Sequence, residues 1–231
     1  VDTVHGSMNS TEIGAALESI ATPDIADALD VLGYRDQTAF GITRMWDDCP
    51  RIAGRVMPIK LAPDASESTV TGTLKAIEAA DPGDVLLFDN DGRLEQNTFG
   101  GIAAFCAARQ GISGAIADGA SRDIDDLQSQ NFPLYARGPA TTSVKDRTGI
   151  VDYDIPVDPG GVEVEPGDYV VADGSGVIFV PGDEVETVLE IAPKFGEYEH
   201  EIKRRIAAGE DMIEVHEDVD YEDFGSRVGL E

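Results

Sequence analysis

The sequence predicts an α/β domain in which helices cover a buried sheet. Three observations carry that prediction. Short apolar runs, Val85-Leu86-Leu87-Phe88 and Val177-Ile178-Phe179-Val180, have the length and composition of fully buried strands. Other segments have helical periodicity, as where Ile13, Ala16, Leu17 and Ile20 fall on one face. Residues 97–126 (NTFGGIAAFCAARQGISGAIADGASRDIDD) read as turn, helix, short strand and turn, a local α/β unit.

The elements follow in order. Gly6-Ser7-Met8 reads as an expression-vector remnant, so residues 1–9 are set aside from the fold as a remnant or disordered N-terminus. They lack the basic-then-apolar pattern of a signal peptide. Residues 10–32 are helical in two pieces, with Thr22 as N-cap, Pro23 at N1 and a stop at Gly33. Residues 34–50 are irregular, with Trp46 as a hydrophobic anchor. A strand over 51–61, a polar loop over 62–69 and a short helix over 74–80 come next. Gly100-Gly101 opens a helix over 102–109 that Ala103, Ala104, Ala107 and Ala108 keep slim. Gly111 is its left-handed cap. Ala115-Ile116-Ala117 forms a strand that Asp118-Gly119 ends. Residues 132–138, 148–158 and 162–164 supply further short strands. Residues 183–206 are helical, kinked or restarted at Pro193. One domain over 10–208 and an acidic tail over 209–231 result.

A weak internal repeat is visible. PGDVLLFDNDG (82–92) parallels PGDYVVADGSG (166–176), each a Pro-Gly-Asp turn, an apolar strand and an aspartate, Asp89 or Asp173, at its end. Two similarly built strands explain it. Each aspartate sits at a strand end and could reach a site, although a turn-forming role accounts for either taken alone.

Composition excludes several functions. Asp and Glu total 45 against 17 Lys and Arg, a formal charge of −28, which disfavours direct binding to nucleic acid. The acids are spread along the whole chain, as in proteins of salt-loving organisms; an acidic face recruiting a basic partner is the alternative. The apolar runs are too short to span a bilayer, so a cytoplasmic protein is expected. Cys49 and Cys106 stand apart, and His5, His200 and His216 lack metal-ligand spacing, which argues against a zinc site or a Ser-His-Asp triad. Any acid–base chemistry falls to carboxylates, bound water, Tyr or Lys.

The site chemistry is concentrated in residues 97–126. The free N–H groups opening the Gly101 helix favour an anion, and Arg122 offers a planar fork to a carboxylate or oxyanion. Asp123 suits a hard divalent cation that keeps its waters. Together these would receive a small 2-oxo acid. An Arg122–Asp123 ion pair capping a helix accounts for the same two residues.

Gly101, Arg122, Asp123 and Asp126 reproduce a spaced motif: Gly, twenty residues, Arg-Asp, two residues, Asp/Glu. With Thr22-Pro23-Asp24, Pro82-Gly83-Asp84, Phe132-Pro133-Leu134 and Pro166-Gly167-Asp168, the chain over 22–192 resembles the ribonuclease-activity-regulator-A-like (RraA-like) and 4-hydroxy-4-methyl-2-oxoglutarate aldolase family. The resemblance implies a mixed central sheet flanked by helices, of the swivelling phosphohistidine-domain type, assembling as homotrimers or homohexamers. It implies a pyruvate aldolase with oxaloacetate decarboxylase side activity and Mg²⁺ or Mn²⁺ as cofactor. Asp123 would hold the metal, with Asp126 behind it. Arg122 would contact the keto oxygen, and Gly100, Gly101, Ile102 and Ala103 the substrate carboxylate. Ile102-Ala103 stands where some aldolases carry an acid, so Asp126, Asp89 or a neighbouring subunit's acid among positions 197, 199 and 201 is the expected substitute. The family also implies an alternative, a non-catalytic regulator binding a ribonuclease or another basic protein. A methyltransferase label for the family finds no support here, since no Gly-x-Gly-x-x-Gly follows a strand.

Overall fold

The computed structural model describes residues 8–219. The chain runs α1 (Ser10–Glu18), α2 (Thr22–Leu32), β1 (Thr43–Arg44), β2 (Ile52–Ala62), β3 (Glu67–Ser68), α3 (Thr69–Ala79), β4 (Val85–Asn97), α4 (Gly101–Gln110), β5 (Gly114–Ser121), α5 (Ile124–Ser129), β6 (Leu134–Pro139), β7 (Gly149–Tyr153), β8 (Tyr169–Ala172), β9 (Val177–Val180), α6 (Val185–Ala207) and α7 (Met212–Val219). The parallel centre is β2-β4-β5-β6, in register at Val56↔Val85, Val85↔Gly114 and Ala115↔Leu134. Antiparallel strands complete the mixed sheet: β1 pairs β6, β7 and β8 both pair β2, β3 pairs β7, and β9 pairs β8.

Alternation sorts the side chains. Leu86, Phe88, Ala115, Ala117 and Leu134 face one side of the sheet, where they pack with Ala104, Ala107 and Leu127 of α4 and α5. Leu87, Ile116 and Tyr135 face the other, with Val164 and Phe179. A separate cluster joins Leu17, Ile25 and Leu29 to Val180 and Ile191, seating α1 and α2 on α6. Trp46 is half-buried between the first two clusters, anchoring its loop.

Several boundaries differ from the sequence reading, each for a physical reason. Thr22 is not the N-cap of α2 but its first residue; Ala21 occupies the cap without a side-chain bond. Asp173 supplies the missing acceptor, taking hydrogen bonds from Thr22 N (3.1 Å) and Thr22 Oγ1 (2.7 Å). The helix expected at 74–80 begins at Thr69, whose hydroxyl donates to the Thr148 carbonyl. Strand β5 does not end at Asp118-Gly119 but continues to Ser121 with every residue buried. Asp118 is tolerated inside because Arg137 Nε and Gly160 N (2.9 Å) both donate to it. Residues 162–164 form no strand, only a bridge between Val157 and Val164. Helix α6 continues through Pro193.

The repeat reflects shared turn chemistry. Gly83 and Gly167 both adopt positive φ (95° and 104°), and Asp84 and Asp168 accept from the backbone N–H three residues earlier (2.9 and 2.8 Å). At the N-terminus, Asn9 caps α1 in a capping box with Glu12. Beyond residue 209, Arg205 holds α7 through Glu210 (2.7 Å) and Asp218 (2.9 Å), and Val215 is buried. The expectations for residues 1–7 and 220–231 lie outside the described residues. Among the described residues no helix is long and apolar enough to cross a membrane.

Candidate functional site

The site lies where β4 and β5 hand over to α4 and α5. Phe99 is buried between Phe88 and Phe132, at ring-centroid distances of 5.3 and 5.9 Å, which fixes the chain just before Gly100. Two backbone hydrogen bonds then tie the two turns together: Thr98 N to Ala120 O (2.6 Å) and Arg122 N to Phe99 O (3.1 Å). These main-chain bonds hold Gly100-Gly101 against Arg122-Asp123.

Asp123 adopts a left-handed conformation (φ 60°, ψ 33°), which few non-glycine residues do and which aspartate tolerates better than most. The turn aims its carboxylate back at α4, where Oδ2 accepts from Gly101 N at 3.1 Å. The same oxygen lies 3.4 Å from Arg122 Nε. That distance is an ion pair, but the angle is poor: the buried Nε makes no hydrogen bond. Asp126 sits in the first turn of α5, exposed, with Oδ2 so close to Gly101 that a Cβ there would lie 2.1 Å away. A Cβ on Gly100 would lie 2.8 Å from Asp123 Oδ2. Both glycines are needed for close approach, not for unusual backbone angles.

Arg122, Asp123 and Asp126 open into a cleft of about 810 Å³. Its other walls are Leu94 and Glu95 from β4 and residues 139–142, which run out from the end of β6. Sequence reading missed these walls. The signal was available, because residues 139–142 leave the carboxyl end of a parallel strand, where α/β proteins place ligands. The structure thus brings Gly100, Gly101, Arg122, Asp123 and Asp126 together. Ile102 points its side chain to solvent (81 % exposed) and Ala103 packs against the core, leaving their amides as first-turn donors. Gly101 N, expected for a substrate carboxylate, is engaged by Asp123.

Asp89 is not brought to the site. It is buried on the opposite face of the sheet from α4, accepting from Lys60 Nζ (2.7 Å), Asp91 N (3.0 Å) and Asp158 N (3.1 Å). Asp89 pairs in register with Lys60 and with Asp118, forming a buried charge row that locks the sheet. It is excluded as the substitute acid. Of the candidates within this chain, Asp126 is the one beside the glycine pair.

The carboxylates also test the fit of a metal. No group of three or more metal-ligating side chains converges among the described residues, which argues against a closed protein cage. Asp123 and Asp126 together suit Mg²⁺ or Mn²⁺ retaining most of its waters. Asp123 Oδ1 has no hydrogen-bond partner among the described residues, and neither does the Asp126 carboxylate.

Fold and site define a class first: a mixed α/β protein with a guanidinium, two carboxylates and a helix N-terminus gathered at the ends of its parallel strands. The comparisons then place the chain: it belongs to the RraA-like family (Aldolase/RraA), whose profile matches residues 22–179. A Halalkalibacterium halodurans protein provisionally named 4-hydroxy-4-methyl-2-oxoglutarate aldolase is 33% identical over 176 residues, covering 76% of this chain and 80% of its own. The Thermus thermophilus protein named 4-hydroxy-4-methyl-2-oxoglutarate aldolase is 32% identical over 131 residues, 57% of this chain and 76% of that one. Among solved structures, Streptomyces coelicolor RraAS2, described as an unusual member of the RNase ES inhibitor RraA protein family, superposes with TM-score 0.79 at 25% identity. That match covers 86% of this chain and 100% of the other. An uncharacterized Pseudomonas syringae protein superposes with TM-score 0.80 at 28% identity, covering 91% and 99%.

Proposed function

We propose that the protein is a divalent-metal-dependent lyase that cleaves a 4-hydroxy-2-oxo acid to pyruvate and an aldehyde or ketone. The observation that carries this reading is the convergence of Arg122, Asp123 and Asp126 on one cleft beside the Gly100-Gly101 turn. The relatives named as aldolases support it. Asp123, with Asp126 in reach, would hold Mg²⁺ or Mn²⁺, which supplies Lewis-acid polarisation of the keto group. The Ile102 and Ala103 amides orient the substrate carboxylate at the positive end of α4. Arg122 donates to the keto oxygen, where negative charge grows as the C3–C4 bond breaks, so it binds the transition state better than the ground state. Asp126 is the carboxylate assigned to take the C4 hydroxyl proton. Oxaloacetate loses CO₂ through the same enolate, so decarboxylation accompanies aldol cleavage. The chain is proposed to act in the cytoplasm of a salt-adapted cell as a homotrimer or homohexamer, which exposed Ile102 and Phe105 on α4 would favour.

The test is pyruvate release from 4-hydroxy-2-oxo acids, coupled to a lactate dehydrogenase readout at high salt with and without Mg²⁺. Metal-dependent release is expected; no release from any such acid by folded, metal-loaded protein contradicts the reading. The −28 charge and the likeness to an RNase-inhibitor family member favour one second reading, a regulator that binds a basic protein. Such binding would weaken with salt, whereas a salt-adapted enzyme would strengthen.

A further inference from the structure

A retro-aldol cleavage moves two protons: one leaves the C4 hydroxyl and one arrives at C3. Asp126 is assigned to the first, and no group named so far serves the second. We infer that Glu95 is a catalytic residue that exchanges protons with C3 of the pyruvate unit, directly or through one water. The inference rests on the lyase reading and adds a residue to that site.

The backbone supplies the first argument. β4 and β5 run in register as far as Asp89↔Asp118, and the ladder then breaks twice, resuming at Arg93↔Gly119 and at Asn97↔Ala120. From 89 to 97 the chain advances eight residues on β4 against two, 118 to 120, on β5, so six are extra. Bulges of this kind re-aim side chains and are frequent beside active sites. Asp91 and Gly92 make the bend with positive φ (49° and 69°). Arg93 clamps its base, donating to Asp91 Oδ2 (2.7 Å) and the Asn90 carbonyl (3.2 Å). The return is fixed as firmly: buried Gln96 donates from Nε2 to Thr148 Oγ1 (2.8 Å), and buried Asn97 donates from its amide to the Thr142 carbonyl (2.9 Å). Between these anchors stand Leu94 and Glu95, both exposed and both lining the cleft. The excursion thus carries one carboxylate to the site from a rigid base.

Chemistry supplies the second. The Glu95 carboxylate has no hydrogen bond or salt bridge among the described residues, so it is free for a ligand. Lys145, three residues past Thr142, does not pair with it; that side chain lines another cavity with Ser66 and Ser68. The other groups in the cleft are unsuited or committed. Arg122 does not give up a proton. Asp123 is engaged by Gly101 N and Arg122. Threonine hydroxyls, as at 141 and 142, are not among the side chains that serve as general acids. Asp125 leaves from the same first turn of α5 as Asp126, whereas Glu95 arrives from a different element, so one acid attends C4 and the other C3. The step balances. Asp126 accepts the C4 hydroxyl proton, the C3–C4 electron pair passes into the enolate, and C4 leaves as a carbonyl carbon. The Glu95 carboxylic acid gives its proton to C3 as the keto group re-forms. Water then takes the proton from Asp126 and returns one to Glu95.

Exchange of pyruvate methyl protons for deuterium tests this, because pyruvate has C3 but no C4 hydroxyl. The Glu95 carboxylate would take a methyl proton, trade it with solvent and return a deuteron. In metal-loaded protein, Glu95→Gln is expected to lower the exchange rate by at least about a hundredfold, the size of a lost general acid or base, while the Kd for pyruvate stays within about threefold of the parent's. Glu95→Asp keeps the carboxylate and is expected to exchange faster than Glu95→Gln. Exchange in Glu95→Gln within about threefold of the parent overturns the inference, as does a loss matched by equally weakened pyruvate binding, or a Glu95→Asp variant no faster than Glu95→Gln. Each of these leaves the lyase reading standing. A folded, metal-loaded parent that exchanges no methyl protons removes the lyase reading and the inference with it.

Discussion

Replacing Gly101 with alanine separates the site's geometry from its stability. The backbone of Gly101 is helical and admits any residue, so alanine introduces no conformational strain. Its Cβ, however, would lie 2.1 Å from Asp126 Oδ2, where ordinary contact begins at 3.4 Å, so the carboxylate must retreat by about 1.3 Å. Asp126 is exposed and rotates outward at a cost of about 0.5–1.5 kcal/mol. Alanine returns up to about 1 kcal/mol through its higher helix propensity. The net change is within about 1 kcal/mol, a melting shift of no more than about 4 °C for a chain of this size. Catalysis responds differently, because displacing a reacting group by about 1 Å costs roughly a hundredfold. Pyruvate release by Gly101→Ala should therefore fall about a hundredfold with the melting temperature nearly unchanged, read by the coupled assay and calorimetry. Activity within threefold of the parent would refute the role given to Asp126 and to the close approach at Gly101.

Three further outcomes are expected. Burial opposes ionisation of Asp173, but donation from Ser175 N and from the Thr22 amide and hydroxyl, with the Arg51 charge, outweighs it and holds the carboxyl below its ordinary 3.8. A depressed folded value means stability that is present above the unfolded pKa and lost as pH falls through the folded one. Asp173→Asn should unfold earlier than the parent at pH 7 and match it near pH 2 in denaturant titrations. Asp24 is the opposite case: burial, then Glu199 and Asp27, push its carboxyl up against the weaker pull of Lys203 and Arg51. Its charge therefore destabilises the fold once pH rises above the unfolded value, and Asp24→Asn should raise the melting temperature at pH 7 in low salt and less in molar salt, where screening already relieves the repulsion. EDTA should abolish pyruvate release, with Mg²⁺ or Mn²⁺ restoring it, and Asp123→Asn should raise the metal concentration needed by at least about tenfold.

The buried strands were legible in the sequence because they are written as continuous apolar runs: 85–88 opens β4 of the parallel centre, and 177–180 became β9, antiparallel to β8. The glycine pair, Gly111 and the Arg122-Asp123 handover were legible as local chemistry, since caps and turns depend on a few adjacent residues. Tertiary partners were not. Asp118 reads as a strand terminator until Arg137 and Gly160 neutralise it, and Thr22 reads as a cap until Asp173, 151 residues away, replaces it. Asp89 looked able to reach the site because it ends an apolar run. Strand alternation turned it to the opposite face, where Lys60 waits. The cleft walls at Glu95 and residues 139–142 needed the folded sheet, because no motif links them.

The central claim is that Arg122 and Asp123 polarise a 2-oxo acid toward its enolate. Exchange of pyruvate methyl protons for deuterium, followed by NMR at high salt with Mg²⁺, measures that step without any acceptor. The account predicts exchange that vanishes with EDTA and falls by about two to three orders of magnitude in Arg122→Ala. A folded, metal-loaded protein that leaves the methyl protons in place, or exchanges them equally well without Arg122, contradicts it.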